Sequence, residues 1–186
     1  MKYLLIILSF ICSSFVYSQV AIGKNTVSNN SVSLEFGDYN IGQGMGIIVP
    51  WVQSQSTLTS AERGTIIFDT SDHVVKYKKT NGTWSHLSKN EIIDIDGITA
   101  FDTTGTVDLS LQTALDEKTT AKVSVGSPTN TPGILVLEDN NKAMILPKVP
   151  SPHLNVINPE PGLMVYDTDS KMLAIFNGKV WSFWKN

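Results

Sequence analysis

Gly64-Thr65-Ile66-Ile67-Phe68-Asp69-Thr70 returns later in the chain as Gly162-Leu163-Met164-Val165-Tyr166-Asp167-Thr168. In each stretch a Gly opens an apolar run of four that ends in an aromatic ring, and an Asp-Thr pair follows. The likeness extends both ways. Downstream, Asn81-Gly82-Thr83-Trp84-Ser85 answers Asn177-Gly178-Lys179-Val180-Trp181-Ser182, with one residue inserted before the second Trp. Upstream, Ile48-Val49-Pro50-Trp51-Val52 answers Ile145-Leu146-Pro147-Lys148-Val149, and Leu34-Glu35 answers Leu137-Glu138. One unit of about 50 residues is therefore present twice, over residues 33–87 and 136–184.

Each unit reads as β. The first strand is the apolar run after Gly. An Asp at its end suits the turn, because a carboxylate accepts hydrogen bonds from turn N–H groups. A second strand follows over Val74–Lys78 or Met172–Phe176. Asn-Gly then marks a hairpin, since both residues tolerate positive φ. The third strand carries the Trp, and Trp181-Ser182-Phe183 alternates as a half-buried strand does. One strand is predicted ahead of each meander, over 47–52 and 143–149. Between that strand and the meander, residues 58–63 predict one helical turn. Residues 151–159, with a Pro near each end, hold a single turn at most. Residues 37–46 carry four glycines and form a loop present only in the first unit.

Residues 89–132 join the units. Ile92, Ile93, Ile95 and Ile98 predict a short strand pair around Asp96-Gly97. Asp108 is a plausible N-cap for one short helix over about 108–121, with Val107, Leu111, Ala114 and Leu115 as its apolar stripe. Residues 127–133 read as a linker. The expected fold is thus mainly β, two repeated small β-meander modules joined by a connector with one short α-helix. The boundaries are 1–18 for a leader, 19–88 for module 1 with an N-terminal extension, 89–132 for the connector and 133–186 for module 2.

The leader is a secretory signal by pattern. Lys2 precedes an apolar run over 4–11, and Val16 and Ser18 place a cleavage after Ser18. The run is too short to span a bilayer, so no membrane span is expected after cleavage. Cys12 is the single cysteine. Ile11 before it is not the small residue that a lipid-bearing signal wants. If Cys12 leaves with the leader, the mature chain has no thiol and no disulfide. Modules of this size must then gain stability from packing or assembly.

The catalytic inventory is bare. The net charge is −3, and no Lys or Arg run builds a basic face, which argues against nucleic acid as partner. His73, His86 and His153 are far apart, and no nucleophile, metal or phosphate-loop motif occurs. Gly42-Gln43-Gly44-Met45-Gly46 lacks the spacing of a dinucleotide fingerprint. Asp94-Ile95-Asp96-Gly97 and Asp167-Thr168-Asp169-Ser170 gather carboxylates on turns but lack the ligand order of a calcium loop. No catalytic, metal-ligating or cofactor-binding residue is assigned, and no cofactor is expected. Trp84 and Trp181 are equivalent and read as core. Trp51 answers Lys148, and Trp184 answers Leu87, so Trp51 and Trp184 are the candidates for a glycan or partner contact.

Gln19-Val20-Ala21-Ile22-Gly23, the strands ending at Val49-Pro50 and Leu146-Pro147, and the run from Gly162 to Trp181 carry a resemblance. Together they resemble secreted repeat proteins of unknown function from Bacteroidota, flavobacteria among them. Those modules are similar to the β segments of tail-fibre-like and adhesin-like surface proteins. The first unit fits more loosely, with Lys76-Tyr77-Lys78-Lys79-Thr80 ahead of Asn81. The resemblance implies a structural or adhesive role and no catalysis, so no enzyme is expected. The resulting expectation is an exported structural or adhesion-type protein, secreted or on the cell surface. It would self-associate as a homo-oligomer, with a trimer in view, and meet a cell-surface protein or glycan. The alternatives are a glycan-binding module using Trp51 or Trp184, and a secreted carboxylate-dependent hydrolase built on Glu62 and Glu160.

Overall fold

A computed structural model describes residues 19–89, 92–95, 98–101, 121–126 and 130–185. The leader and nearly all of the connector helix predicted over 108–121 lie outside the described residues. In chain order the strands are β1 (Val20–Ile22), β2 (Val32–Phe36), β3 (Ile47–Ile48) and β4 (Trp51–Val52), then a 3-10 turn over Gln55–Thr57. Next come β5 (Ile66–Asp69), β6 (Val74–Lys78), β7 (Trp84–His86), β8 (Ile92–Ile95) and β9 (Ile98–Phe101). The second half holds β10 (Val123–Gly126), β11 (Leu135–Glu138), β12 (Ala143–Ile145) and β13 (Lys148–Val149). It continues with a one-turn helix α1 (Pro152–Asn155), then β14 (Leu163–Asp167), β15 (Met172–Phe176) and β16 (Trp181–Trp184). The fold is mainly β, as the sequence predicts.

The repeat holds down to register. In module 1, β4 lies parallel to β5 with Trp51 opposite Phe68 and Val52 opposite Asp69. In module 2, β13 lies parallel to β14 with Lys148 opposite Tyr166 and Val149 opposite Asp167. β5-β6-β7 and β14-β15-β16 are antiparallel meanders. The same backbone irregularities recur: φ is +83° at Gly64 and +84° at Gly162, and +57° at His73 and +56° at Lys171. Two glycines and two turn residues therefore hold corresponding left-handed positions, the signature of one architecture built twice.

Two sequence expectations are corrected. The helical turn of module 1 is not at 58–63 but at Gln55–Thr57, where Ser54 Oγ accepts from Ser56 N–H and caps it. The single strands predicted over 47–52 and 143–149 are each split at a proline. Pro50 and Pro147 have no N–H to donate to a ladder, so pairing is interrupted there. The two halves then serve different sheets. β4 stays with β5, but β3 crosses to module 2 and pairs antiparallel with β14, Ile48 opposite Leu163 and Ile47 opposite Met164. Reciprocally, β12 of module 2 pairs parallel with β2 of module 1. The modules are laced together by exchanged strands.

Packing follows from the two-residue period of each strand. Phe68 and Val75 of module 1 face Met164 and Ile175 of module 2, with Val49 between them, and all five are buried. Burying each such side chain stabilises by about 1.5–3 kcal/mol. The opposite face of module 2 buries Val149, Leu163, Val165, Ala174 and Phe176, covered in part by Tyr39 and Val156. The glycine loop of module 1 lies against this face. A Cβ on Gly46 would sit 2.6 Å from Val165 Cγ1, and one on Gly44 would sit 2.5 Å from the Asn155 carbonyl oxygen. The glycines are there for close approach.

The remaining sheets are small. β1, β2 and β12 form a parallel trio, β10 and β11 a parallel pair, and β8 and β9 the antiparallel pair expected in the connector.

Candidate assembly surface

The seam between modules is built by the strap that carries β3. Its Val49 N–H donates to the Gly162 carbonyl at 3.2 Å. The Trp51 indole N–H donates to the Pro161 carbonyl at 2.8 Å, across 110 positions of sequence. Gly162 has no room to spare: a Cβ there would meet Val49 Cγ2 at 3.1 Å and Phe68 Cβ at 3.2 Å. Farther along, the Trp184 indole N–H donates to the Leu87 carbonyl. Lys89 N–H reaches Ser182 Oγ, and Asn177 Nδ2 donates to the Lys89 carbonyl. The Trp51 and Asn177 bonds are part-buried, and a buried N–H without a partner would cost about 1–3 kcal/mol, so these two bonds help to fix the seam's register.

The candidate tryptophans part company here. Trp51 is half-buried against the core shared by the modules, with its N–H occupied. Trp184 keeps 45% of its surface exposed. It closes a row that runs across one face of module 2: Lys148, Tyr166, Leu173, Trp184. Tyr166 is 37% exposed. The matching row of module 1 is Trp51, Phe68, Val75, Leu87, and its Phe68 and Val75 are fully buried by module 2. One row is a finished interface; in its counterpart Leu173 packs against the shared core and Trp184 bonds Leu87, leaving Tyr166 and the outer part of Trp184 exposed. Trp84 and Trp181, read as core, are each half-buried. Trp181 packs on Phe176 at 5.3 Å between ring centres, and Lys78 sits over Trp84.

The buried carboxylates Asp69 and Asp167 are committed to turns. Asp69 is buried, accepts from Ser71 N–H and Oγ and from Gln55 N–H, and pairs with Lys76 at 2.9 Å. Burial pushes its carboxyl up, but the hydrogen bonds from Ser71, Lys76 and Gln55 outweigh this and hold it below the usual range. Asp167 repeats the design with Ser151 N–H, Asp169 N–H and Ser170 Oγ, and is likewise held down against its burial. These carboxylates cap the turn ahead of their meander and the turn after their strand. Glu35 on β2 takes Ser28 Oγ and N–H and pairs with Lys24 at 2.9 Å. The Ser28 hydroxyl, helped by Lys24, lowers its carboxyl to about 2.

The histidines sit on separate elements. His73 is buried at the β5–β6 turn with its edge toward Phe68, His86 ends β7, and His153 on α1 meets Phe183. Glu62 and Glu160 hold matching places, each with its backbone carbonyl accepting an N–H three residues on, from Thr65 and Leu163. Their side chains are exposed. Among the described residues no group of three or more His, Cys, Asp or Glu could hold a metal ion. Among them, too, no helix is long and apolar enough to cross a membrane. A shallow open groove of about 620 Å³ lies beside Gly64, lined by Arg63, Tyr77 and Lys78 among others.

The architecture defines a class: paired β modules whose developed surfaces are module-to-module faces. The comparison with known families reaches one of the two modules. Residues 124–186 match the model of a phage tail like trimerisation region. The match runs from within β10 through β16, so it covers module 2, and it indicates a structural, fibre-like β module. No curated protein and no solved structure matches the chain.

Proposed function

We propose that the chain is an exported, non-enzymatic structural protein that assembles into trimers as a building block of a fibre or surface structure. The observation that carries this reading is the trimerisation-region match on the module that exposes Tyr166 and part of Trp184. An exposed row of Tyr166 and Trp184 is the kind of surface that marks an interaction site. Trp184 is the contact residue of this reading, toward a second chain in the first instance and toward a surface glycan in the second. Export rests on the leader pattern over residues 1–18.

Light scattering across a dilution series tests it on the chain from Gln19 onward. Three chain masses, stable to dilution into the micromolar range, are expected. A monomer at every concentration would sink the assembly reading. Expression of the whole chain in a bacterial host tests export separately. The exported product is expected to start at Gln19, and an intact Met1 in the soluble cytoplasmic fraction counts against it.

A further inference from the structure

The two modules meet through strands exchanged both ways, but they present non-equivalent faces to each other. Module 1 supplies the covered row, and module 2 supplies a receiving site at Pro161–Met164, where Ile47–Ile48 pairs and Trp51 docks. Module 1 owns the same receiving site at Arg63–Ile66. Among the described residues no strand pairs there, and β5 pairs on that side through Phe68 and Asp69. Gly162 is buried, whereas Gly64 is exposed and a Cβ on it would meet nothing within 4 Å. The open groove lies beside it. Module 2, in turn, owns a supplying row, Lys148–Tyr166–Leu173–Trp184: Leu173 borders the shared core and Trp184 bonds Leu87, while Lys148, Tyr166 and the outer part of Trp184 stay exposed.

The strands tell the same story independently. β2 has partners on both edges, β1 and β12. Its counterpart β11 pairs only with β10 among the described residues. What β11 lacks is a strap on its far edge, and the strap equivalent to β12 is β3. β3 pairs on one edge only, with β14, and β12 pairs on one edge only, with β2, among the described residues. Among the described residues, two edges are therefore unpaired on module 2, at β11 and β12, and two on module 1, at β3 and β5. Exposed apolar side chains mark them: Ile48 on β3 is 47% exposed and Leu135 on β11 is 48% exposed. An open strand edge with apolar side chains is a template for another strand.

We propose that module 2 of one copy of the chain docks on module 1 of the next, head to tail, repeating between chains the contact that module 1 makes on module 2 within the chain. β12 would complete the edge of β5, β11 would complete the edge of β3, and the Tyr166–Trp184 row would settle on Gly64. Such a heterologous interface leaves one complementary face free at each end until it closes. Closure at three copies, six modules in a ring, rests on the trimer reading; the identity of the two faces does not. One position departs from the internal seam. Lys148 stands where Trp51 stands, and it would approach Arg63 in place of Pro161. Two cations there weaken the contact and make it salt-sensitive.

A mixing experiment decides this. A tail variant carries Leu135→Lys with Tyr166→Lys, and a head variant carries Ile48→Lys. All three positions are exposed, so wild-type circular dichroism is expected for both. Each variant alone is expected to be monomeric. Mixed one to one, they retain one competent pair of faces and are expected to stop at a heterodimer. Lys148→Trp, which copies the internal seam, is expected to shift dissociation to roughly tenfold lower concentration, as buried interface Trp residues do. Either lysine variant keeping the wild-type mass would overturn the proposed faces while leaving the trimer reading in place. So would an inert mixture, or a Lys148→Trp chain that assembles no better. A heterodimer from the mixture, with a wild-type mass other than three chains, would keep the faces and remove the trimer. A wild-type monomer at every concentration would remove both.

Discussion

At the residue scale the repeat provides its own controls. Gly64 and Gly162 share a φ near +84°, a conformation that costs an L-residue about 1–2 kcal/mol. Only Gly162 is also crowded, by Val49, Phe68 and Trp51. In a monomeric background, Gly64→Ala is expected to cost about 1–2 kcal/mol, and Gly162→Ala about 1–3 kcal/mol more through overpacking. Urea midpoints of the two variants compare them, and equal costs would show that the seam does not close on Gly162. Glu35 makes a pH prediction of known sign. Its carboxyl is lowered from 4.5 to about 2 in the folded chain, so the unfolded chain binds more protons between those values. The contribution of Glu35 is complete above pH 4.5 and fades as pH falls toward 2. Glu35→Gln is expected to flatten the stability profile in that window and to leave its shape above pH 5 unchanged. A variant as acid-sensitive as wild type would place the linkage elsewhere.

At the scale of elements, each module hangs on its turn aspartate, but the two do not carry equal loads. Asp69 holds Lys76, whose side chain is 3% exposed. Module 2 places Ala174 where module 1 places Lys76, so Asp167 holds no cation there. Asp69→Ala would leave Lys76 buried with Asp72 alone, and breaking a buried pair costs about 3–5 kcal/mol. Asp167→Ala removes cap hydrogen bonds only and is expected to cost about 1–3 kcal/mol. Thermal melts of the two variants should rank in that order, and the reverse ranking would mean that Lys76 adds nothing. The meanders behind these turns were legible in the sequence, because four-residue apolar runs, Asp-Thr turns and Asn-Gly hairpins are local signals. The exchange of β3 and β12 was not. Proline at positions 50 and 147 announces a break in pairing but does not say which sheet the freed half will join. The same limit applied to Trp51: its partner is Pro161, 110 positions away. The partly exposed row could be glimpsed only by setting Lys148 against Trp51 and Trp184 against Leu87. Burial of the counterpart row then gave that contrast its meaning.

At the scale of the whole molecule, strand exchange turns two marginal units into one. A domain of about 50 residues without a disulfide buries too little to be secure alone. Here β3 completes the edge of module 2, β12 flanks β2, and Phe68, Val75, Met164 and Ile175 form one core. Neither module can unfold without exposing half of that core and stripping a strand from its neighbour. A single cooperative transition is therefore expected. Far-ultraviolet circular dichroism, which sees both sheets, should coincide with tryptophan fluorescence, to which Trp51 at the seam contributes. A destabilising change in either module should move both signals together. If the chains assemble as proposed, the midpoint should also rise with protein concentration, because association stabilises the folded state by mass action. Raised salt should add to that rise by screening Lys148 from Arg63. Two separated transitions, one for each module, would show that the exchanged strands do not couple the units. The seam would then be a resting contact and no longer a pattern for assembly.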